Sequence, residues 1–278
     1  MRKFKIVADS SCDILDVRGL DFACSPMKII TAEREFVDDG YLDVCGMVAF
    51  LDKFKGKSQS SCPNTSDWLR AFGDGDDIFC VTITSGLSGS YNSACVAKKE
   101  FEAENEGKRV FVVDTLSTGP EMALIIEKLV EYIRSGLEYE KICTLISDYM
   151  KKTGLIFMLK SLKNFANNGR ISPLVAKLVG IAGICIVGKA SDVGTLEPMH
   201  KCRGERRALE ALVKELKSQG YNSGKISIGH CQNQTAAEQL KALILEKFKD
   251  AEIEIHSLRG LCSFYAEGGG VLVGFEKE

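Results

Sequence analysis

The chain has 278 residues, nearly twice a common domain length, so two domains or one large one are expected. Hydrophobic residues at 45%, charged residues at 27% and only 5 prolines provide for a folded core and exclude a disordered chain. Lys and Arg number 36 against 38 Asp and Glu, a net charge of -2 with no basic block, which makes nucleic acid a poor partner.

The N-terminus, MRKFKIVADSS, has no apolar run of signal-peptide length before Asp9, so a cytoplasmic protein is expected. FKIVA, IFCVTIT (Ile78 to Thr84) and RVFVV (Arg109 to Val113) are short β-branched runs leading into Asp, Ser, Thr and Gly, and they read as buried parallel strands. Between the first two lies SQSSCPNTSDW (Ser58 to Trp68), which reads as a polar loop entering a helix at Pro63. Residues 91–105 have helical composition. Another helix follows DTLSTGP, with apolar positions at Met122, Ile125, Ile126, Leu129, Val130 and Ile133. The alternation predicts an α/β, doubly wound, parallel-sheet domain. The longest uncharged stretch, Ile78 to Ala97, is too rich in Ser, Thr, Gly and Asn to span a membrane.

A helix from about Tyr139 to Lys152 precedes a change of character, and a domain boundary is placed there: residues 1–152, then residues 153–278. The segment 55–75 is allowed to pack with the second domain. Beyond the boundary, Leu155 to Leu159 and Gly183 to Val187 flank the loop NNGRIS. A helix over Glu205 to Lys217, strand KISIG, helix Thr235 to Phe248, strand EIEIH and the closing VLVGF complete an α+β domain.

Eleven cysteines stand singly with no CxxC pair, and Cys202 near His200 or Cys231 beside His230 are isolated pairs. Buried, reduced thiols are expected, with no metal and no cofactor.

ITSGLSGSYNSA (Ile83 to Ala94) places Ser85, Ser88 and Ser90 with Gly86 and Gly89 between a strand end and a helix start. Such a segment suits an anion at free backbone N–H groups, or a capped helix start and nothing more. A Walker loop needs a Lys after the glycines, and none occurs before Lys98. A nucleophile elbow needs GxSxG, and GLSG is one residue short. A serine acyl hydrolase using Ser85 or Ser88 with His230 stands as the alternative function. ADSSCD, Ser58 to Trp68 and Asp114 to Pro120 add further hydroxyl-rich loops, and loops after strand carboxyl ends converge on one crevice in open α/β sheets.

ADSSCDI, the Ser-Ser-Cys-Pro element, ITSGLSGSYNSA, VDTLSTG, NNGRIS, HKCRGERRA and GGGVLVGF together resemble, in order and spacing, the DegV family of fatty-acid-binding proteins, which includes the acyl-binding subunit of bacterial fatty acid kinase. The resemblance implies two domains with one long-chain fatty acid between them, presented by a non-catalytic carrier to an ATP-dependent kinase for acyl-phosphate formation. It implies no membrane span, while allowing transient contact with a membrane surface. Carried over residue by residue, the carboxylate ligands would be Ser60 and Ser61 of the first loop, Ser85 and Ser88 of the second, and Tyr265 where the family generally has histidine. Arg170 would lie near the head group, and Arg203, Arg206 and Arg207 near it or against the kinase. The tail is expected along Leu155 to Leu162 and Leu174 to Ile186, with room left by Gly180 and Gly183.

Overall fold

A computed structural model describes residues 2–171, 175 and 183–278 of the chain. Its first part carries β1 (Phe4–Asp9), β2 (Asp21–Ser25), β3 (Lys28–Thr31), β4 (Glu35–Val37), α1 (Val44–Lys53), β5 (Ser58–Ser61) and α2 (Thr65–Phe72). β6 (Asp77–Thr82), α3 (Ser90–Glu104), β7 (Arg109–Asp114), α4 (Gly119–Arg134) and α5 (Tyr139–Met150) follow. The C-terminal part holds β8 (Thr153–Leu159), α6 (Lys163–Asn167), β9 (Ile184–Ala190), β10 (Leu196–Arg203) and α7 (Glu205–Ser218). It closes with β11 (Gly224–His230), α8 (Gln234–Lys247), β12 (Ala251–Ser257), α9 (Gly260–Ala266) and β13 (Val271–Glu276).

Four strands form a parallel sheet in the order β2-β1-β6-β7. Successive side chains of a strand point to opposite faces, and the burial follows that period. Ile6, Ala8, Phe79 and Val81 meet α4 and α5, while Val7, Ile78 and Cys80 meet Trp68 and Phe72 of α2 and Ala94, Ala97 and Phe101 of α3. Both faces are covered, which is why these strands read as unbroken apolar runs.

The second sheet has six strands in the order β10-β9-β8-β13-β11-β12, antiparallel except for β11 beside β12. One face packs α7 and α8 through Ile156, Met158, Val187, Ile228 and Val273. The other face looks back toward the parallel sheet. There, α4 lies across β13 and β11, and two glycines admit it. A Cβ on Gly274 would stand 2.4 Å from the Glu121 backbone nitrogen, and one on Gly229 3.0 Å from the Pro120 ring.

A third sheet, β4-β3-β5, is the largest departure from expectation. Ser58–Ser61 is a strand, not a loop; it has no apolar alternation to reveal it, and its backbone ladder to β3 (Ile29 opposite Ser60) holds it instead. β5 is an edge strand, and its free side is covered by an amide side chain. Asn168 accepts from Ser60 N–H at 3.2 Å and donates to Ser58 C=O at 3.1 Å, as a neighbouring strand would. The chain between β3 and β5 packs with the C-terminal sheet, since Ile29, Phe36, Met47 and Val48 share a core with Leu155, Phe157, Leu159 and Phe264. Of the segment 55–75, only the β5 part lies there; Trp68 and Phe72 belong to the parallel-sheet core. No helix among the described residues is long and apolar enough to cross a membrane.

Candidate functional site

Between the carboxyl ends of the parallel strands and the inward face of the six-stranded sheet lies a cavity of about 300 Å³. Its apolar wall follows from strand period. Leu155, Phe157 and Leu159 alternate along β8 with Ile156 and Met158, so one set lines the cavity while the other fills the outer core. Leu272 of β13, Leu196 of β10, Leu261 of α9 and Met27 complete much of that wall. Glycine again sets a fit: a Cβ on Gly188 would stand 2.6 Å from the Phe157 ring.

The polar wall comes from three of the four hydroxyl-rich loops. Ser60 and Ser61 end β5 and Cys62 follows it, Thr84, Ser88 and Gly89 lie between β6 and α3, and Ser117 and Thr118 follow β7. The fourth, Asp9 to Asp13, lies beneath the cavity and supports it: Ser10 Oγ accepts from Met27 N–H at 3.0 Å, and Ser11 C=O accepts from the Cys262 thiol at 3.3 Å.

One cluster leaves polar groups facing the space. Ser60 Oγ and the Tyr265 hydroxyl are 2.7 Å apart, and Tyr265 is braced by Phe165 and Phe264 with ring centroids at 4.7 and 4.8 Å. Burial pushes the Tyr265 phenol above its ordinary pKa, opposed by Ser60 and by the charge of Arg170, so it remains a donor at neutral pH. Arg170, the only charged side chain lining the cavity among the described residues, is tied by its Nη1 to Asn168 C=O at 2.7 Å. The same Asn168 thus joins Arg170 to Ser60. Cys62 sits against Gly89, where a Cβ would be 3.4 Å from the sulfur. Burial raises the Cys62 thiol, which keeps it protonated and a weak nucleophile.

Ser85 is not brought to this cluster. It is exposed, does not line the cavity, and its backbone N–H is held by Asp114 at 3.0 Å, which turns the residue outward; its neighbour Thr84 is the buried one and donates to Gly194 C=O at 2.8 Å. Ser88 lines the cavity. Arg203, Arg206 and Arg207 are exposed at the end of β10 and start of α7, away from the cavity wall, and Arg206 pairs with Glu210 at 3.3 Å. Of the expected tail segments, Leu155, Phe157 and Leu159 line the cavity, and Ile184 and Ile186 pack in the core around it. Leu174 and Gly180 lie outside the described residues.

The hydrolase alternative lacks its base here. Among the described residues no histidine lines the cavity; His230, at the end of β11, accepts from Asn233 N–H at 3.3 Å, and burial lowers its pKa. The cysteines are free thiols, and no group of acidic, histidine or cysteine side chains suited to a metal occurs among the described residues.

Sequence reasoning missed Thr84, Asn168 and Met27. Asn168 stood in the NNGRIS element but carried no sign that it would cap a strand edge 108 residues away.

Known proteins place the chain. The sequence model described as "Uncharacterised protein, DegV family" matches residues 3–278. A DegV domain-containing protein of Streptococcus pneumoniae (strain ATCC BAA-255 / R6) is 41% identical over 277 residues, covering 98% of this chain and 99% of that one. One from Streptococcus gordonii is 40% identical over 277 residues, covering the same shares. Among solved structures, a DegV family protein from Eubacterium eligens loaded with heptadecanoic acid superposes with a TM-score of 0.96 at 43% identity, covering 99% of this chain and 100% of that one. The Streptococcus pneumoniae Fatty Acid Kinase (Fak) B3 protein loaded with linoleic acid does so with 0.97 at 40% identity and the same coverage.

Proposed function

Since the chain belongs to the DegV family, we propose that it binds one long-chain fatty acid, with the tail along the Leu155–Phe157–Leu159 face and the carboxylate among Ser60, Ser61, Ser88 and Tyr265, near Arg170. The observation that carries this reading is a cavity with a long apolar wall and, on its polar side, hydroxyl donors gathered beside Arg170, the one cation lining it among the described residues. Tail burial drives the binding: each methylene removed from water contributes ~0.8 kcal/mol before ordering costs. The head group selects. Neutral hydroxyls hold an acid in one pose and leave an oxygen able to attack a phosphoryl donor, which suits a carrier that hands its cargo to an ATP-dependent kinase. The fatty acids carried by the Eubacterium eligens protein and the fatty acid kinase B3 protein support the same ligand class.

Organic extraction of the purified protein followed by mass spectrometry tests the binding. A fatty acid in near-stoichiometric amount is expected; a protein that neither carries nor takes up fatty acid overturns the reading. The exposed Arg203, Arg206 and Arg207 are the surface we assign to the kinase. Arg203→Ala is expected to leave lipid occupancy unchanged while slowing acyl-phosphate formation by added kinase, and an equal fall in occupancy would count against a partner surface.

A further inference from the structure

Asp9, the last residue of β1, is fully buried and does not line the cavity, yet it touches both ends of the segment that does. Its Oδ2 accepts from Ile83 N–H at 2.9 Å and from the Ser90 hydroxyl at 2.7 Å. Ile83 follows β6 directly and Ser90 opens α3, so one oxygen clamps the two ends of a loop carrying Thr84, Ser88 and Gly89 on the cavity wall. The other oxygen accepts from Ser11 N–H at 3.2 Å and from the Ser11 hydroxyl. All four lone-pair positions of a carboxylate are thereby used, the arrangement of an acceptor-only group.

The chain of bonds continues toward the cavity. Ser90 N–H donates to Ser88 Oγ at 3.2 Å. With its oxygen occupied by that donor, Ser88 keeps its own proton for an acceptor in the cavity. We propose that Asp9 is a positioning residue: through Ser90 it fixes the Ser88 hydroxyl as a donor toward an anionic head group, and so makes the site prefer an acid over an uncharged lipid of equal length. The inference rests on the reading of the cavity as a fatty acid site.

Asparagine is a poor replacement for Asp9. Each oxygen of Asp9 faces a backbone N–H, so an amide placed either way sets its NH₂ group against a donor. Ser90→Ala is milder, since it removes one bond and leaves the Ile83 anchor.

The test compares heptadecanoic acid with heptadecan-1-ol in competition titrations on wild type, Ser90→Ala and Asp9→Asn, with Ser90→Cys as a volume-conserving substitute should Ser90→Ala fail to fold. Loss of head-group positioning is expected to weaken the acid by about tenfold and the alcohol by less than about twofold. In a Ser88→Ala background, Ser90→Ala should bring no further loss of acid preference. If acid and alcohol weaken by the same factor, Asp9 and Ser90 merely support the fold and the inference fails while the binding function stands. If wild type binds neither compound, the fatty acid reading fails and takes the inference with it.

Discussion

Two serines three residues apart have opposite surroundings. Ser85 is held outward by Asp114, whereas Ser88 lines the cavity with its oxygen engaged by the Ser90 amide. Removing a hydroxyl that donates to a buried charged acceptor costs about 1.5–3 kcal/mol. Ser88→Ala is therefore expected to lower fatty acid retention by about ten- to a hundredfold, and Ser85→Ala to leave it within about twofold. Competition against a labelled fatty acid, read by native mass spectrometry, checks both; equal losses would show that the loop turns over on binding. Nothing in the spacing SGLSGS tells these serines apart, because the direction of each is set by a partner elsewhere in the chain, Asp114 in one case and Asp9 through Ser90 in the other.

At the scale of elements, the last glycine of GGGVLVGF, Gly274, matters through contact, not flexibility. Gly274 lies on β13 under the first turn of α4, and a Cβ there would meet backbone atoms of Pro120 and Glu121 at 2.4 to 2.7 Å. Backbone cannot rotate aside as a side chain does. Gly274→Ala is expected to destabilise the protein by about 1–3 kcal/mol, lowering the denaturation midpoint. Gly40→Ala, with nothing within 4 Å of the added carbon, should be neutral or slightly stabilising. A Gly274→Ala variant as stable as wild type would mean that α4 does not sit as closely on β13 as described. The strands β1, β6, β7, β8, β11 and β13 were legible as β-branched or apolar runs, and α4 and α7 by helical periodicity. β5 was not: four polar residues owe their strand to β3 on one side and to Asn168 on the other.

For the whole molecule, two titratable groups lie where the two halves meet, with opposite pH slopes. His256 on β12 is pushed down to about 4 by burial and by His230, and its Nε2 finds no partner among the described residues. An unfolded histidine takes a proton near pH 6.5, so on acidification the unfolded state gains protons first. His256 thus makes stability fall as pH drops from about 6.5 to about 4, by on the order of 3 kcal/mol, and contributes no slope above that window. Asp13, enclosed by Arg259, Gly119 and Cys262, is pushed up to about 8, chiefly by burial. A raised carboxyl acts the other way: stability falls as pH rises from about 4 toward 8. Relative to wild type, His256→Gln should gain stability at pH 4 over pH 7.5, and Asp13→Asn at pH 8 over pH 5. Urea denaturation across that range reads both, and parallel profiles for variant and wild type would contradict the assignment.

The sequence by itself determined that strands and helices alternate, that hydroxyl-rich loops follow the parallel strands, and which family pattern the chain carries, because local propensity, hydrophobic period and motif spacing are properties of adjacent residues. The tertiary structure alone decided that β3, β4 and β5 form a sheet of their own whose segment packs on the core of the C-terminal sheet, that Ser88 faces the cavity while Ser85 does not, and that Asn168 joins Ser60 to Arg170. Those outcomes depend on contacts between residues far apart in the chain, where burial and hydrogen-bond satisfaction override the preferences of any short segment.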